Sequence, residues 1–411
     1  MRSMISQKLQ SLIMIAIFIT ALGFQQVAAV EGLTTEQKLE DFRYLYHILK
    51  DDYPFFEVKN RVYNVDWLAQ KSEFETMITN TTTDREFEQV LKKILNELRS
   101  WHTTLLDYND YQSSLTVFKK IGNDNPWVSV LTKPEVVQHY QQKPGQDSKV
   151  RVYNNSLTEK PRYQFNWIQS GAIAYLKINK FDKLKYVEDH KPIYRFLESI
   201  KDYPVLIIDV RQNGGGAQQY WKENLVAPLI NQELKAEYYG FIRGGSYVKS
   251  FYQPFWKRFS PIEQLNPELA KRFPSEVVRN FKNYYQIVHA VSPVKPVGFH
   301  GKIYLLVDNG SYSSADTFAS FSRATKFAVV VGERTKGDGI NNPVGIDMPL
   351  LALPNSGLVV RFPVGLGFNP DGSVNEEKAT EPDIQIKAPI ADTPENDPVI
   401  RKVIEIATAV R

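Results

Sequence analysis

The chain has 411 residues, which at roughly 150 residues per domain predicts two or three domains rather than one. Its content of 43% hydrophobic and 23% charged residues excludes a disordered, collagenous or coiled-coil protein. Because 50 basic residues face 46 acidic ones, the net charge of +4 gives no reason to expect a nucleic-acid partner. The chain has no cysteine, so disulfides, thiolate metal sites and a cysteine nucleophile are excluded.

The amino terminus has the pattern of a secretory signal peptide. Arg2 and Lys8 precede an apolar run at 12–24, and Ala29 suits cleavage before Val30. The run is shorter than the ~20 residues that a bilayer span requires. We therefore predict a signal peptide at 1–29 and no stable membrane insertion of the mature chain, with an uncleaved anchor as the alternative. The predicted location is secreted or cell-envelope, in a bacterium.

Residues 30–104 are predicted to form a helical region. Apolar residues recur there at helical spacing in two runs, within 39–49 and 87–98, and Thr83 is a plausible helix cap before the second run. Residues 105–170 are a variable middle region with strand-like stretches at 128–131 and 150–153.

Residues 171–228 and 299–390 have the pattern of an α/β core. Apolar strands are predicted at 173–178, 205–210, 302–308 and 328–331, and helices at 182–200 and 313–326. The aromatic-rich residues 229–298 form a predicted helical insertion, which serves either as a lid over a cleft or as a satellite core. Residues 391–411 are predicted to form a C-terminal helix.

Two turns at the ends of predicted strands could carry chemistry. The first, at 209–216, contains three consecutive glycines whose backbone N–H groups could bind an anion, although a tight turn would need glycine as well. The second, at 309–316, places serines at the start of a helix, where a hydroxyl is either a nucleophile beside the helix dipole or an ordinary cap. Neither turn matches a nucleotide-binding or Gly-x-Ser-x-Gly motif.

His102 is the histidine best placed to act as a base. Of the six histidines, it alone lies at a structural boundary, just after the second amphipathic helix. A lone histidine is more often a surface or packing residue, so this interpretation depends on its context. No close pair of histidine or carboxylate ligands predicts a metal site.

Together these segments resemble the C-terminal processing peptidases and their tricorn-core and retinoid-binding-protein relatives. The resemblance covers about residues 34–410, and its motifs follow one another in the family's order. The similar segments are 98–103, 171–181, 206–216, 307–318, 331–337, 370–372 and 381–384. The resemblance implies a crotonase/ClpP-like core that requires no metal or cofactor and acts on a peptide or protein substrate.

The resemblance also implies site residues. It places the nucleophile at Ser313 and oxyanion donors at Gly214, Gly215 and Ser314. The family's Ser-Lys branch carries a lysine 25 residues after the nucleophile, but position 338 is aspartate. The chain is therefore more similar to the tricorn-like branch.

In the tricorn-like branch a histidine is the base and a late glutamate orients it. These roles correspond to His102 and Glu376, with Glu377 adjacent as the alternative carboxylate. Lys336, two positions before the missing lysine, leaves a shifted Ser-Lys dyad as a further alternative.

The expected function is a secreted serine endopeptidase that acts through an acyl-enzyme with a Ser-His-Glu arrangement. No segment resembles a PDZ module in 109–170. The alternative is a protein of the same fold that has lost its chemistry and binds a peptide or a hydrophobic ligand, as the retinoid-binding relatives suggest.

Overall fold

The structure is a computed structural model that describes residues 32–141, 161–169 and 171–409. The predicted signal peptide at 1–29 and the strand-like stretch at 150–153 lie outside these residues. Across the described ranges, no helix is both long enough and apolar enough to cross a bilayer.

Helices dominate the N-terminal third of the described chain and recur between the strands of the remainder. They are α1 (Thr35–Asp52), α2 (Phe56–Tyr63), α3 (Lys71–Thr79), α4 (Asp84–Asn96), α5 (Tyr108–Ile121), α6 (Pro126–Leu131), α7 (Pro134–Gln141), α8 (Tyr186–Ser199), α9 (Gln218–Trp221), α10 (Ala227–Leu229), α11 (Ser246–Phe251), α12 (Pro267–Ala270), α13 (Ser275–Asn280), α14 (Ser314–Thr325), α15 (Asn375–Lys378) and α16 (Pro398–Ala409).

The strands form three sheets. They are β1 (Thr104–Leu105), β2 (Tyr163–Gln169), β3 (Ile173–Ile178), β4 (Val205–Asp209), β5 (Leu234–Ile242), β6 (Ser260–Pro261), β7 (Asn283–Val291), β8 (Lys302–Val307), β9 (Val329–Gly332), β10 (Leu350–Ala352), β11 (Val359–Arg361), β12 (Leu366–Phe368) and β13 (Ile384–Gln385).

The largest sheet is the predicted α/β core. Its strand order is β13-β9-β8-β4-β3-β2, with all neighbours parallel except β2 and β3. Helix α8 connects β3 to β4, and α14 connects β8 to β9. Because β4 and β8 are parallel neighbours, the glycine turn after β4 and the serine turn after β8 lie side by side at their carboxyl ends.

The smaller sheets bring distant segments to the same region. One has the order β12-β5-β7-β6, and the other has the order β1-β11-β10. In the latter, Thr104 pairs with Arg361, which places the chain that follows His102 against β11. The pairing thereby holds Thr104 and Arg361, which are far apart in the sequence, next to each other.

The N-terminal helical region is confirmed, and it extends further than predicted. Thr83 caps α4 through a reciprocal capping box with Glu86. The strand-like stretch predicted at 128–131 is wrong, because α6 covers these residues. Asn125 accepts a hydrogen bond from the N–H of Val128 and Pro126 occupies the first turn, which favours a helix over a strand.

The prediction of a helical insertion is wrong in its largest elements. β5 and β7 are nine-residue antiparallel strands, and only short helices and the two-residue strand β6 lie between them. Strands rich in tyrosine and phenylalanine are common, and pairing along their whole length outweighs a local helical pattern. Phe241, Tyr252 and Phe259 are buried in the same hydrophobic cluster as the N-terminal helices, so these aromatic residues are core residues.

Candidate active site

Ser313 lies in a strained turn between β8 and α14. Its φ of 55° and ψ of −121° fall in a region that residues other than glycine rarely adopt. Its backbone N–H donates to the Gly337 carbonyl at 3.1 Å. Its half-buried hydroxyl makes no hydrogen bond to another described residue. The turn therefore holds the serine by its backbone and leaves the hydroxyl available.

His102 is held through its Nδ1 atom. This atom lies 2.7 Å from Oδ2 of Asp338 and 3.1 Å from the amide nitrogen of Asn341. The imidazole also packs on the ring of Tyr312, with ring centroids 4.7 Å apart, next to Ser313 in the chain. If Nδ1 carries the proton that Asp338 accepts, Nε2 is left as the basic nitrogen.

Asp338 is buried among hydrogen-bond donors. Oδ2 accepts a hydrogen bond from the Tyr312 hydroxyl at 2.5 Å, and Oδ1 accepts one from the Asn341 amide. It follows Gly337, which pairs with the segment of Ser313 through a parallel bridge at Tyr312. The nucleophile turn and the carboxylate are thereby fixed to each other through the backbone.

The structure does not bring Glu376 to His102. Lys59 donates a hydrogen bond to Oε1 of Glu376, and the Lys59 and Glu376 side chains are only 3% and 8% exposed, respectively. Burial and the nearby Asp338 carboxylate raise the pKa of Glu376 to about 8. The adjacent Glu377 pairs with Arg61 at 2.7 Å. Lys59 and Arg61 thus pair with the two glutamates that the sequence suggests. The carboxylate beside the His102 imidazole is instead that of Asp338.

The predicted oxyanion donors lie next to Ser313. A Cβ on Gly215 would come within 2.8 Å of the Ser314 nitrogen, so only glycine allows this approach. The N–H of Gly215 donates to Asn213 Oδ1 at 2.8 Å and is therefore occupied. Within the described part of the chain, no group accepts a hydrogen bond from the N–H of Gly214 or Ser314. These two N–H groups face no acceptor from the described residues.

A network behind the glycine turn fixes its position. The buried Asp209 accepts hydrogen bonds from Arg211, Tyr175 and Lys177, and Arg211 also pairs with Asp397. Burial alone would raise the pKa of Asp209, but the Arg211 guanidinium holds it below its usual value. These charge-assisted bonds anchor the turn to the central sheet and to the start of α16.

A second buried carboxylate supports the serine turn from behind. Asp316, in the first turn of α14, accepts hydrogen bonds from the hydroxyls of Thr335 and Thr380 and from the amide of Asn375. Burial raises the pKa of Asp316. The contacts join the helix that begins after Ser313 to the two segments that carry Asp338 and Glu376.

One cleft of about 830 Å³ contains the predicted nucleophile, base and glycine turn. Its lining includes His102, Gly214, Gly215, Ser313 and Ser314, but not Glu376. Among the described residues, no group of three histidine or carboxylate side chains is arranged to hold a metal ion. The arrangement is a serine, a histidine and a carboxylate with nearby N–H donors, which is the constellation used in acyl transfer.

Asp338, Tyr312 and Asn341 are site residues that sequence reasoning did not select. Asp338 is 236 positions from His102, so no local pattern reports their contact. One signal was present, because position 338 is where the Ser-Lys branch carries its lysine. A carboxylate at a position reserved for a base indicates that the chemistry there has changed.

The fold and this constellation define a hydrolytic enzyme with an α/β core. Residues 172–386, more than half of the chain, match the model of peptidase family S41. The chain belongs to peptidase family S41 and is a serine-type peptidase.

Comparison with solved structures agrees on the fold. A candidate peptidase from Parabacteroides merdae aligns with a TM-score of 0.56 at 19% identity, covering 90% of this chain and 96% of that one. Mature CPAF aligns with a TM-score of 0.55 at 13% identity, covering 92% and 96%. A search of curated proteins found no match.

Proposed function

We propose that the chain is an endopeptidase whose nucleophile is Ser313, whose base is His102 and whose orienting carboxylate is Asp338. The 2.7 Å contact between His102 Nδ1 and Asp338 Oδ2, beside the strained Ser313, carries this proposal. Asp338 takes the role that the family resemblance assigned to Glu376.

The reaction follows from these positions. Ser313 Oγ attacks the scissile carbonyl carbon while its proton passes to Nε2 of His102. The N–H groups of Gly214 and Ser314 stabilise the oxyanion, and the imidazolium then gives its proton to the departing amine. Water activated by the same imidazole hydrolyses the acyl-enzyme and releases Ser313.

The proposal assigns the chain to the histidine-dependent branch of the family. The shifted dyad would need Lys336, but its ammonium lies 4.3 Å from the centroid of the exposed Trp101 ring. The cation–π contact engages the Lys336 ammonium with Trp101, and no hydrogen bond joins Lys336 to Ser313 among the described residues. The carboxylate at position 338 supports the same assignment, because it stabilises an imidazolium.

We also propose that the enzyme acts outside the cytoplasm after loss of residues 1–29. The basic residues, the apolar run and the cleavage-like site in the sequence support this location. The predicted boundaries between segments of the chain, at about residues 104, 170, 228, 298 and 390, belong to the same proposal. We propose that these segments together form one active site. We expect that separating them abolishes activity, because His102 and Ser313 come from different segments.

The test is active-site labelling combined with peptide turnover. A fluorophosphonate probe should label the mature chain, and Ser313→Ala should abolish labelling and lower kcat by a factor on the order of 10⁶. Ser322→Ala is the matched control, because this buried serine lies on α14 outside the cleft. A folded wild-type chain that neither labels nor cleaves peptides would favour the non-catalytic binding protein.

The same assay separates the two candidate bases. His102→Ala should lose labelling almost as completely as Ser313→Ala, whereas Lys336→Ala should retain it. The reverse order of effects would overturn the assignment of His102 and establish the shifted dyad.

A further inference from the structure

The cleft beside Ser313 has an excess of positive charge. Among the described residues that line it, three side chains are cationic, Lys180, Lys183 and Arg361, and one is acidic, Asp347. Lys183 pairs with Asp347 at 3.2 Å. Burial would raise the pKa of Asp347, but Lys183 and Arg361 hold it below its usual value. The single carboxylate is therefore charged and already paired, and two cations remain.

Arg361 lies on the wall of the cleft that carries His102. It ends β11 and pairs with Thr104, two residues after His102. Its Nε atom is buried and has no hydrogen-bond acceptor among the described residues. Burial and Asp107 raise the pKa of Asp110, and the nearby Arg361 charge opposes that rise as it does at Asp347, yet among the described residues neither carboxylate accepts a hydrogen bond from Arg361. A desolvated guanidinium N–H without an acceptor indicates a place for a ligand oxygen.

Lys180 contributes charge from the wall of the glycine turn. It follows β3, and the next residue, Phe181, bridges to Gly216. Its exposed ammonium forms no ion pair with any residue that the structure describes. An anion entering the cleft would therefore meet unpaired positive charge from two different segments.

We propose that Arg361 binds an acidic side chain of the substrate, with Lys180 adding to the attraction, so that peptides with Asp or Glu near the scissile bond are preferred. A planar guanidinium can hold a carboxylate through two parallel hydrogen bonds, which gives orientation as well as affinity. This inference rests on the proposed function, because Ser313 must act on the peptide that Arg361 holds.

The experiment compares pairs of fluorogenic peptides that differ only by Glu or Gln at each position around the cleavage site. Their C-termini are amidated, so the side chain is the only variable carboxylate. At one position at least, the wild-type chain should show a Glu:Gln ratio of kcat/KM on the order of ten. Arg361→Gln should bring this ratio close to one, and Arg361→Glu should bring it below one.

Arg195→Gln is the matched control. Arg195 is an exposed residue of α8 that does not line the cleft, so its removal changes the net charge equally and should leave the ratio unchanged. Lys180→Gln is a second test that does not alter a buried group. It should lower the ratio by a factor of about two to three, and added salt should lower the wild-type ratio as well.

The outcomes separate this inference from the proposed function. If the wild-type chain is labelled at Ser313 but cleaves the Glu and Gln peptides equally, the carboxylate preference is refuted alone. If it is not labelled, the proposed function fails first. If an acidic preference appears only in peptides with a free C-terminus, Arg361 binds the terminal carboxylate, and the proposal of an acidic side chain is wrong.

Discussion

Two buried carboxylates lie behind His102, and their surroundings differ. Asp338 accepts hydrogen bonds from Tyr312 and Asn341, and its Oδ2 lies 2.7 Å from Nδ1 of His102. Glu376 accepts one from Lys59 through Oε1, while Oε2 is buried without a partner among the described residues. The segments touch, because the N–H of Gly339 donates to the side chain of Asn375.

Neither oxygen of Asp338 lacks a hydrogen-bond partner, whereas Oε2 of Glu376 does among the described residues. The hydroxyls of Tyr53, Ser100 and Thr103 are buried close to one another, and among the described residues none of them bonds to either carboxylate. Burial and the Glu376 and Asp338 carboxylates raise the pKa of Tyr53 well above its usual value. A fully bonded carboxylate holds its partner in one geometry, whereas a partly bonded one does not. The comparison therefore favours Asp338 as the group that positions His102.

The largest effect should come from exchanging the two carboxylates for amides. Asp338→Asn keeps the shape but loses the charge that holds the imidazolium, so kcat/KM should fall by a factor on the order of 10⁴. Glu376→Gln should change it by less than about tenfold, because Glu376 does not contact His102. Both variants are assayed with one amidated peptide after circular dichroism has shown that they fold. A larger loss in Glu376→Gln than in Asp338→Asn would restore the glutamate as the orienting residue.

The order of the family motifs along the chain, rather than any single residue, predicts the α/β core and the positions of Ser313 and His102. The strands before both turns and the helix after Ser313 are read directly from apolar runs and periodicity, and the structure contains them. The prediction of a strand at 128–131 is wrong because so short a stretch, with three apolar residues in four, fits a strand and a helix equally well. The cap at Asn125 decides between them.

Asp338 could not be predicted because its role arises from tertiary contacts. It faces His102 only after β1 has paired with β11 and the chain at Gly337 has paired with the turn at Tyr312. The family resemblance assigns Glu376, and a resemblance between sequence segments does not report which cation lies beside a side chain. Lys59, which occupies it, is 317 residues away in the sequence.

A smaller effect concerns the pH dependence of folding. Burial and Asp338 raise the pKa of Glu376 from 4.5 to about 8, so the folded state holds this proton more tightly than the unfolded chain does. Its contribution to stability is present below pH 4.5 and is lost as the pH rises to about 8. The double variant Lys59→Met/Glu376→Gln lacks the titrating group and leaves no lone buried charge.

Urea unfolding at pH 5, 7 and 9 measures this contribution. From pH 5 to pH 9 the wild-type chain should lose stability relative to the double variant, by roughly a few kcal/mol. The matched control is Lys402→Met/Glu405→Gln, an exposed pair at 2.7 Å whose removal should leave the pH dependence unchanged. Parallel pH profiles for the wild-type chain and the double variant would contradict the raised pKa of Glu376.

The smallest expected effect on kcat is that of removing one tyrosine hydroxyl. Two variants compare such a removal next to Asp338 with one near Glu376. Tyr312→Phe removes the hydrogen bond to Asp338 Oδ2 but keeps the ring that packs on His102, so kcat should fall about tenfold with little change in KM. Tyr53→Phe is its control, because among the described residues the buried Tyr53 hydroxyl bonds to neither carboxylate, so its removal should leave kcat within about twofold. Steady-state kinetics on one peptide measures both. If Tyr53→Phe lowers kcat as much as Tyr312→Phe, the Glu376 side also positions the histidine, and the two carboxylates act as one unit.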